Sequence, residues 1–156
     1  MSGTLSLTAP AVREFWTERH LCTLTTLRAD GSPHVVPVGA TVDPAAGLLR
    51  VIASSGSAKV RQIRAGGDRV AVCQVDGPRW STVEGRAVIR DDPESVAEAE
   101  RRYAERYRRP RPNPQRVVIE VTITRVLGSA SLGAPGTTAV VSTGEQSRSG
   151  PRGRPA

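Results

Sequence analysis

A single lysine, Lys59, stands against twenty-one arginines in this 156-residue chain. It lies in Ser54-Ser55-Gly56-Ser57-Ala58-Lys59-Val60-Arg61, between a strand-like run over 48–53 and a short helical pattern over 60–65. Small residues that open a helix leave backbone N–H groups free at the positive end of its dipole. Ser57 is placed to act as the N-cap, and Lys59 adds a point charge in the first turn. That combination is a candidate cradle for a phosphate or carboxylate. The spacing equally fits an ordinary strand–turn–helix connection with a solvated lysine.

Other chemistry-bearing residues are sparse. Cys22 and Cys73 sit in separate apolar stretches, with no CxxC and no Cys/His metal spacing. They read as two reduced, buried thiols. His34 opens a strand-like run and, taken alone, reads as a structural histidine. The net charge is +7. Arg148, Arg152 and Arg154 against Glu145 place part of that excess in residues 133–156. The remainder favours anionic partners. A nucleic-acid role is not expected, because aromatics are only 3% of the chain and no stacking platform or recognition helix is evident. No apolar run reaches the ~20 residues needed to cross a bilayer, and no signal-peptide pattern is present, so a soluble cytoplasmic protein without membrane association is expected.

The elements that must position these residues follow from periodicity. Thr8-Ala9-Pro10 starts a helix, with Thr8 as candidate cap and Val12, Phe15 and Trp16 on one face. It should end near His20. Strands are expected over 21–28, 34–42, 48–53, 69–75, 80–90 and 116–126. Turns at Asp30-Gly31, Asp43-Pro44, Gly66-Gly67 and Asp76-Gly77 separate them. Val83, Gly85, Ala87 and Ile89 alternate with polar residues, and mid-strand Gly85 suggests a bulge. A second clear helix starts at Asp92-Pro93, with Val96, Ala99, Tyr103 and Tyr107 along one side and Glu98–Arg102 and Glu105–Arg109 pairs outside. The short links predict antiparallel pairing. The fold class is mainly β: a six-stranded antiparallel barrel with flanking helices, in one domain over 1–132. The Gly/Pro/Ser/Arg-rich 133–156 is expected to be a disordered tail.

Several strings resemble the split-barrel flavin-binding family of the pyridoxamine phosphate oxidases. These are Leu24 to His34, His34-Val35-Val36-Pro37-Val38-Gly39, the Ser54–Lys59 turn, Cys73-Gln74-Val75-Asp76-Gly77 and Arg79-Trp80-Ser81-Thr82-Val83-Glu84-Gly85. Glu18-Arg19-His20-Leu21, the run Cys73 to Trp80 and Arg106 to Pro114 look like its deazaflavin branch, the F420-dependent biliverdin reductases. The resemblance covers about residues 5 to 132. It implies a split β-barrel of the FMN-binding type and a homodimer with two sites at the subunit interface. The implied cofactor is coenzyme F420, with FMN as the alternative. Pro37, Val38 and Gly39 would then lie along the deazaflavin ring. Ser55, Ser57, Ala58 and Lys59 would hold the cofactor phosphate. Gln74, Trp80 and Ser81 would reach across the interface.

The implied reaction is hydride transfer to a tetrapyrrole, most simply biliverdin to bilirubin, by an F420-dependent oxidoreductase. The cofactor carries the chemistry and the protein orients and shields. Arg79 and the Arg106–Arg111 run are candidate partners for the propionates, and His34 is a further candidate substrate contact. No residue type at a telling spacing identifies a general acid. The alternatives are an FMN-dependent oxidase or flavin carrier of the same fold, and a protein that binds tetrapyrroles without turning them over.

Overall fold

The computed structural model describes residues 3–133. The chain runs β1 (Gly3–Thr4), α1 (Pro10–Thr17), β2 (Cys22–Leu27), β3 (Pro33–Val38), β4 (Ala40–Asp43), β5 (Leu48–Ser54), α2 (Ala58–Arg64), β6 (Arg69–Asp76), β7 (Arg79–Arg90), α3 (Pro93–Arg106), β8 (Arg116–Gly128) and α4 (Ala130–Gly133). The strands form one antiparallel sheet in the order β3-β2-β6-β7-β8-β5-β4, with the two-residue β1 beside β8. Gly31 and Gly77 make the tight β2–β3 and β6–β7 turns at positive φ of 84° and 57°, a conformation that side chains with a Cβ rarely take. The expected tail lies outside the described residues, except that Gly133 closes α4.

The expected count of six strands is corrected. The run foreseen over 34–42 is two strands, broken at Gly39, and β1 had no sequence signal. The break has a physical reason. A Cβ on Gly39 would lie 2.6 Å from Tyr103 Cε2 and 3.1 Å from Tyr107 Cε2. The two tyrosines crowd the backbone there, and β3 and β4 go to opposite edges of the sheet. One residue thus joins the two edges, and the sheet curls into a split barrel. At the other side, the β7–β8 register shifts between Glu84 and Gly85. A Cβ on Gly85 would strike the Thr122 carbonyl, so the bulge expected there is required sterically.

Strand alternation fills the barrel. Leu24, Leu49, Val51, Val72, Val83, Ile119 and Val121 are enclosed, and α1 closes one side with Val12, Phe15 and Trp16. α2 packs Val60 and Ile63 inward. Two helix expectations are corrected. α1 ends at Thr17 rather than His20, and Ala9 occupies its N-cap position with no side-chain bond, while the Thr8 hydroxyl pairs with Ser6 at 2.9 Å. Asp92 does cap α3, accepting from Ser95 N at 3.0 Å. α3 stops at Arg106, so Arg109 lies beyond it, and Glu105 pairs instead with Arg101 at 2.5 Å. The Glu98–Arg102 pair forms as expected, at 2.7 Å. No helix among the described residues is long and apolar enough to cross a membrane.

Candidate functional site

The turn from β5 into α2 carries Ser54 to Ser57. Its hydroxyls are used locally rather than as caps. Ser57 Oγ donates to the Ser54 carbonyl at 2.8 Å, and α2 has no side-chain N-cap bond. Ser55 donates through N to the Gln115 carbonyl at 2.8 Å and through Oγ to Gln115 Oε1 at 3.1 Å. Asn113 Nδ2 donates to Ser54 Oγ at 2.9 Å. These bonds dock the proline-rich segment after α3 onto the serine turn. Docking brings Arg108, Arg111 and Arg116 around a cleft of about 330 Å³ that Lys59 also lines. Arg116 meets Glu100 at 3.5 Å. Lys59, Arg108 and Arg111 have no ion-pair partner among the described residues. Burial holds the Lys59 pKa below the ordinary lysine value, and no hydrogen bond offsets that loss of hydration. A half-buried ammonium among arginines is a place where an anion gains and a cation loses.

A second cleft, of about 450 Å³, is lined by Arg19, Leu21, Tyr103, Tyr107 and Arg108. It shares Tyr103 and Arg108 with the first, so the two adjoin along one wall. The tyrosine ring centroids are 5.0 Å apart and tilted by 34°. Tyr107 OH donates to the His20 carbonyl at 2.6 Å and receives Ala40 N–H at 3.2 Å. Burial pushes the Tyr107 phenol well above its usual pKa, so it is a structural donor and not an acid.

Beneath the tyrosines lies Arg106. The sequence placed it in a basic run at a helix end, yet it is only 9% exposed. Its Nε donates to the Glu18 carbonyl at 2.9 Å, Nη1 to the Ala40 carbonyl at 2.5 Å and Nη2 to Gln74 Oε1 at 2.7 Å. Its guanidinium lies 5.6 Å from the Trp16 ring centroid and 5.2 Å from that of Tyr107. It ties the end of α3 to α1, β4 and β6. The signal existed: Arg106 falls three residues after Tyr103 and seven after Ala99, on the inward stripe of the helix.

The family model described as pyridoxamine 5'-phosphate oxidase matches residues 8–130. An "F420H(2)-dependent biliverdin reductase" from Mycobacterium tuberculosis (strain CDC 1551 / Oshkosh) is 58% identical over 118 residues, which is 76% of this chain and 85% of that protein. The chain belongs to the pyridoxamine 5'-phosphate oxidase family. Among solved structures, one titled "F420 Reductase" superposes with a TM-score of 0.60 at 26% identity, over 73% of this chain and 94% of that one. A conserved hypothetical protein from Mycobacterium tuberculosis shares the fold, with a TM-score of 0.65 at 24% identity, over 85% of this chain and 91% of that one.

Against this family background the remaining expected site residues are scattered. Pro37 is exposed on β3, Val38 is buried, and Gly39 lies under the tyrosine pair. On the side a Cβ would take, the Gly39 backbone meets the Tyr103 ring of the same chain. Gln74 and Ser81 are 1% and 0% exposed, and their polar atoms serve the interior. Gln74 Nε2 donates to the Phe15 carbonyl at 2.8 Å. Ser81 Oγ donates to the Leu127 carbonyl at 2.9 Å and accepts from Trp16 Nε1 at 3.0 Å. Trp80 is half-buried opposite Val75. His34 Nδ1 meets Gln62 Oε1 at 3.2 Å, away from both clefts' lining residues. Arg79 grips Glu18 with two bonds, at 2.8 and 2.9 Å, and also meets Asp76. The Arg79 hydrogen bonds hold the Glu18 carboxyl below its ordinary pKa. With two carboxylates on it, Arg79 offers little free charge to a ligand. Glu18, His20 and Asp76 could by spacing surround a metal ion, but Arg79 takes both carboxylates.

Proposed function

We propose that this chain is an F420-dependent reductase that reduces biliverdin, and that it works as a homodimer. The observation that carries the reading is the half-buried Lys59, without an ion-pair partner among the described residues, in a cleft with Arg108, Arg111 and Arg116. A cofactor with a phosphate fits that donor set, because its charge would replace the hydration that Lys59 has lost. Ser55, Ser57 and Ala58 would add backbone and hydroxyl contacts beside it. The 58%-identical relative named for F420H(2) and biliverdin supports the choice of cofactor and acceptor. The bound deazaflavin would supply the hydride, and this chain's residues would bind, orient and exclude water. Neither His34 nor Tyr107 is assigned as proton donor: His34 is held by Gln62, and the phenol is too weak an acid.

Dimerisation is supported by an outward sheet face that carries Val35 and Val75, 56% and 63% exposed, together with Trp80. The test combines chemistry and binding. Purified protein with reduced F420 and biliverdin should produce the bilirubin absorbance. Absence of that change with active cofactor removes the acceptor. In a fluorescence titration with F420, Lys59→Ala should weaken binding by about 1.5–3 kcal/mol, the size of a charge-assisted contact. Unchanged affinity, or tighter binding of FMN than of F420, would refute the cofactor assignment.

A further inference from the structure

We propose that the groove of Arg19, Leu21, Tyr103, Tyr107 and Arg108 seats the acceptor, a flat and largely apolar molecule bearing carboxylates. Its body would stack on the tyrosine pair, and its carboxylates would pair with Arg19 and Arg108. Naming that acceptor as biliverdin rests on the reductase reading; the groove chemistry does not.

Charge is the first argument. Seven of the eighteen arginines in residues 3–133 sit in ion pairs with carboxylates: Arg50, Arg79, Arg86, Arg90, Arg101, Arg102 and Arg116. Arg19 and Arg108 sit in none among the described residues, and both line this groove. Two such cations lining one groove attract a ligand with more than one negative group. Arg79, the arginine that the sequence favours for this task, is neutralised by Glu18 and Asp76.

Apolar surface is the second. Leu21 is 74% exposed, the highest value among the large hydrophobic residues that stand out from the surface. It shares the groove with two aromatic rings. The chain has only five aromatic side chains, and Phe15 and Trp16 are buried. The two tyrosines are thus a substantial part of what the fold could offer as a stacking surface.

Preorganisation is the third. Tyr107 is fixed at its hydroxyl by His20 and Ala40 and flanked by the Arg106 guanidinium. Tyr103 rests on the Gly39 backbone, where no Cβ fits. Rings held in place lose little entropy when a flat partner stacks on them. The groove adjoins the Lys59 cleft through Tyr103 and Arg108, so an acceptor here would lie beside whatever the cleft holds.

The experiment uses the full chain without cofactor. Biliverdin is titrated in, and binding is followed by the circular dichroism induced in its visible bands. Tyr103→Leu and Arg19→Gln should each weaken binding roughly tenfold, the worth of one stack or one charge-assisted contact. Biliverdin dimethyl ester, which lacks the negative charges, should bind the wild type at least as poorly. F420 titration of Arg19→Gln should be unchanged, because Arg19 lines the groove and not the Lys59 cleft. Equal biliverdin binding by wild type and both variants overturns the proposal, as does ester binding as tight as that of the free acid. Parallel loss of F420 and biliverdin in Arg19→Gln would also overturn it, because the groove would then be no separate acceptor seat. If the wild type binds biliverdin as predicted but not F420, the cofactor reading fails and the groove stands.

Discussion

At the scale of single residues, Gly39 has the most consequences per atom. It breaks the expected strand, joins the two edges of the sheet and lets Tyr103 lie on the backbone. The resemblance sets Gly39 along a cofactor ring; on the side a Cβ would take, its backbone faces Tyr103. Gly39→Ala would place a methyl group 2.6 Å from Tyr103 Cε2. Tyr103 is half-buried at the groove, so its ring can swing outward instead of deforming the core. The expected stability loss is about 1 kcal/mol, at the low end for overpacking. Biliverdin affinity should fall with it, because the stacking surface is displaced. Urea unfolding and the induced dichroism measure the two effects. A loss of several kcal/mol with unaltered biliverdin binding would mean that the ring cannot move and that the groove does not depend on its position.

At the scale of elements, α3 is held at both ends by different physics. Asp92 caps its start, a bond legible from Asp92-Pro93. Its end is anchored by Arg106, which the sequence presented as one of several arginines before Pro110. Periodicity located the inward stripe of α3 but did not distinguish a buried guanidinium from a solvated one, because the difference lies in the carbonyls of Glu18 and Ala40 and the amide of Gln74, all distant in sequence. The same holds for Gln74 and Ser81, whose partners come from α1 and β8. Local signals were read well where the cause was local: the Gly31 and Gly77 turns, the Gly85 bulge and the Glu98–Arg102 pair. Arg106→Leu keeps the bulk but leaves three acceptors without their donor. It should cost about 3 kcal/mol, as for breaking a buried, hydrogen-bonded charge. Chemical denaturation would measure it. A change below about 1 kcal/mol would show that water replaces the guanidinium and that the end of α3 is not pinned there.

At the scale of the whole molecule, the barrel leaves one sheet face without a partner among the described residues. Thr25 pairs with Val35 on β3 and with Ala71 on β6, so Val35, Ala71 and Val75 share a side, and Val75 lies opposite Trp80 on β7. Inward alternation on β7 was legible from sequence. The apolar character of the outward positions was not, because period-two patterning marks which residues share a side but not whether a second surface covers them. A face with two valines more than half exposed beside a half-buried tryptophan suits burial against a copy of itself, as a two-fold interface requires. Val75→Glu would place a charge at that face and a second one from its copy close by. The wild type should elute from size-exclusion chromatography at twice the chain mass of 16.6 kDa, and the variant near the single-chain mass. Because Val75 is 63% exposed in the single chain, the substitution itself should leave the monomer folded. F420 binding then separates two architectures. If the Lys59 cleft is complete within one chain, the monomeric variant keeps its affinity. If the cleft needs a neighbour's residues, affinity falls with dimerisation, and protein concentration restores both together. A Val75→Glu protein that remains dimeric would remove this face from the interface.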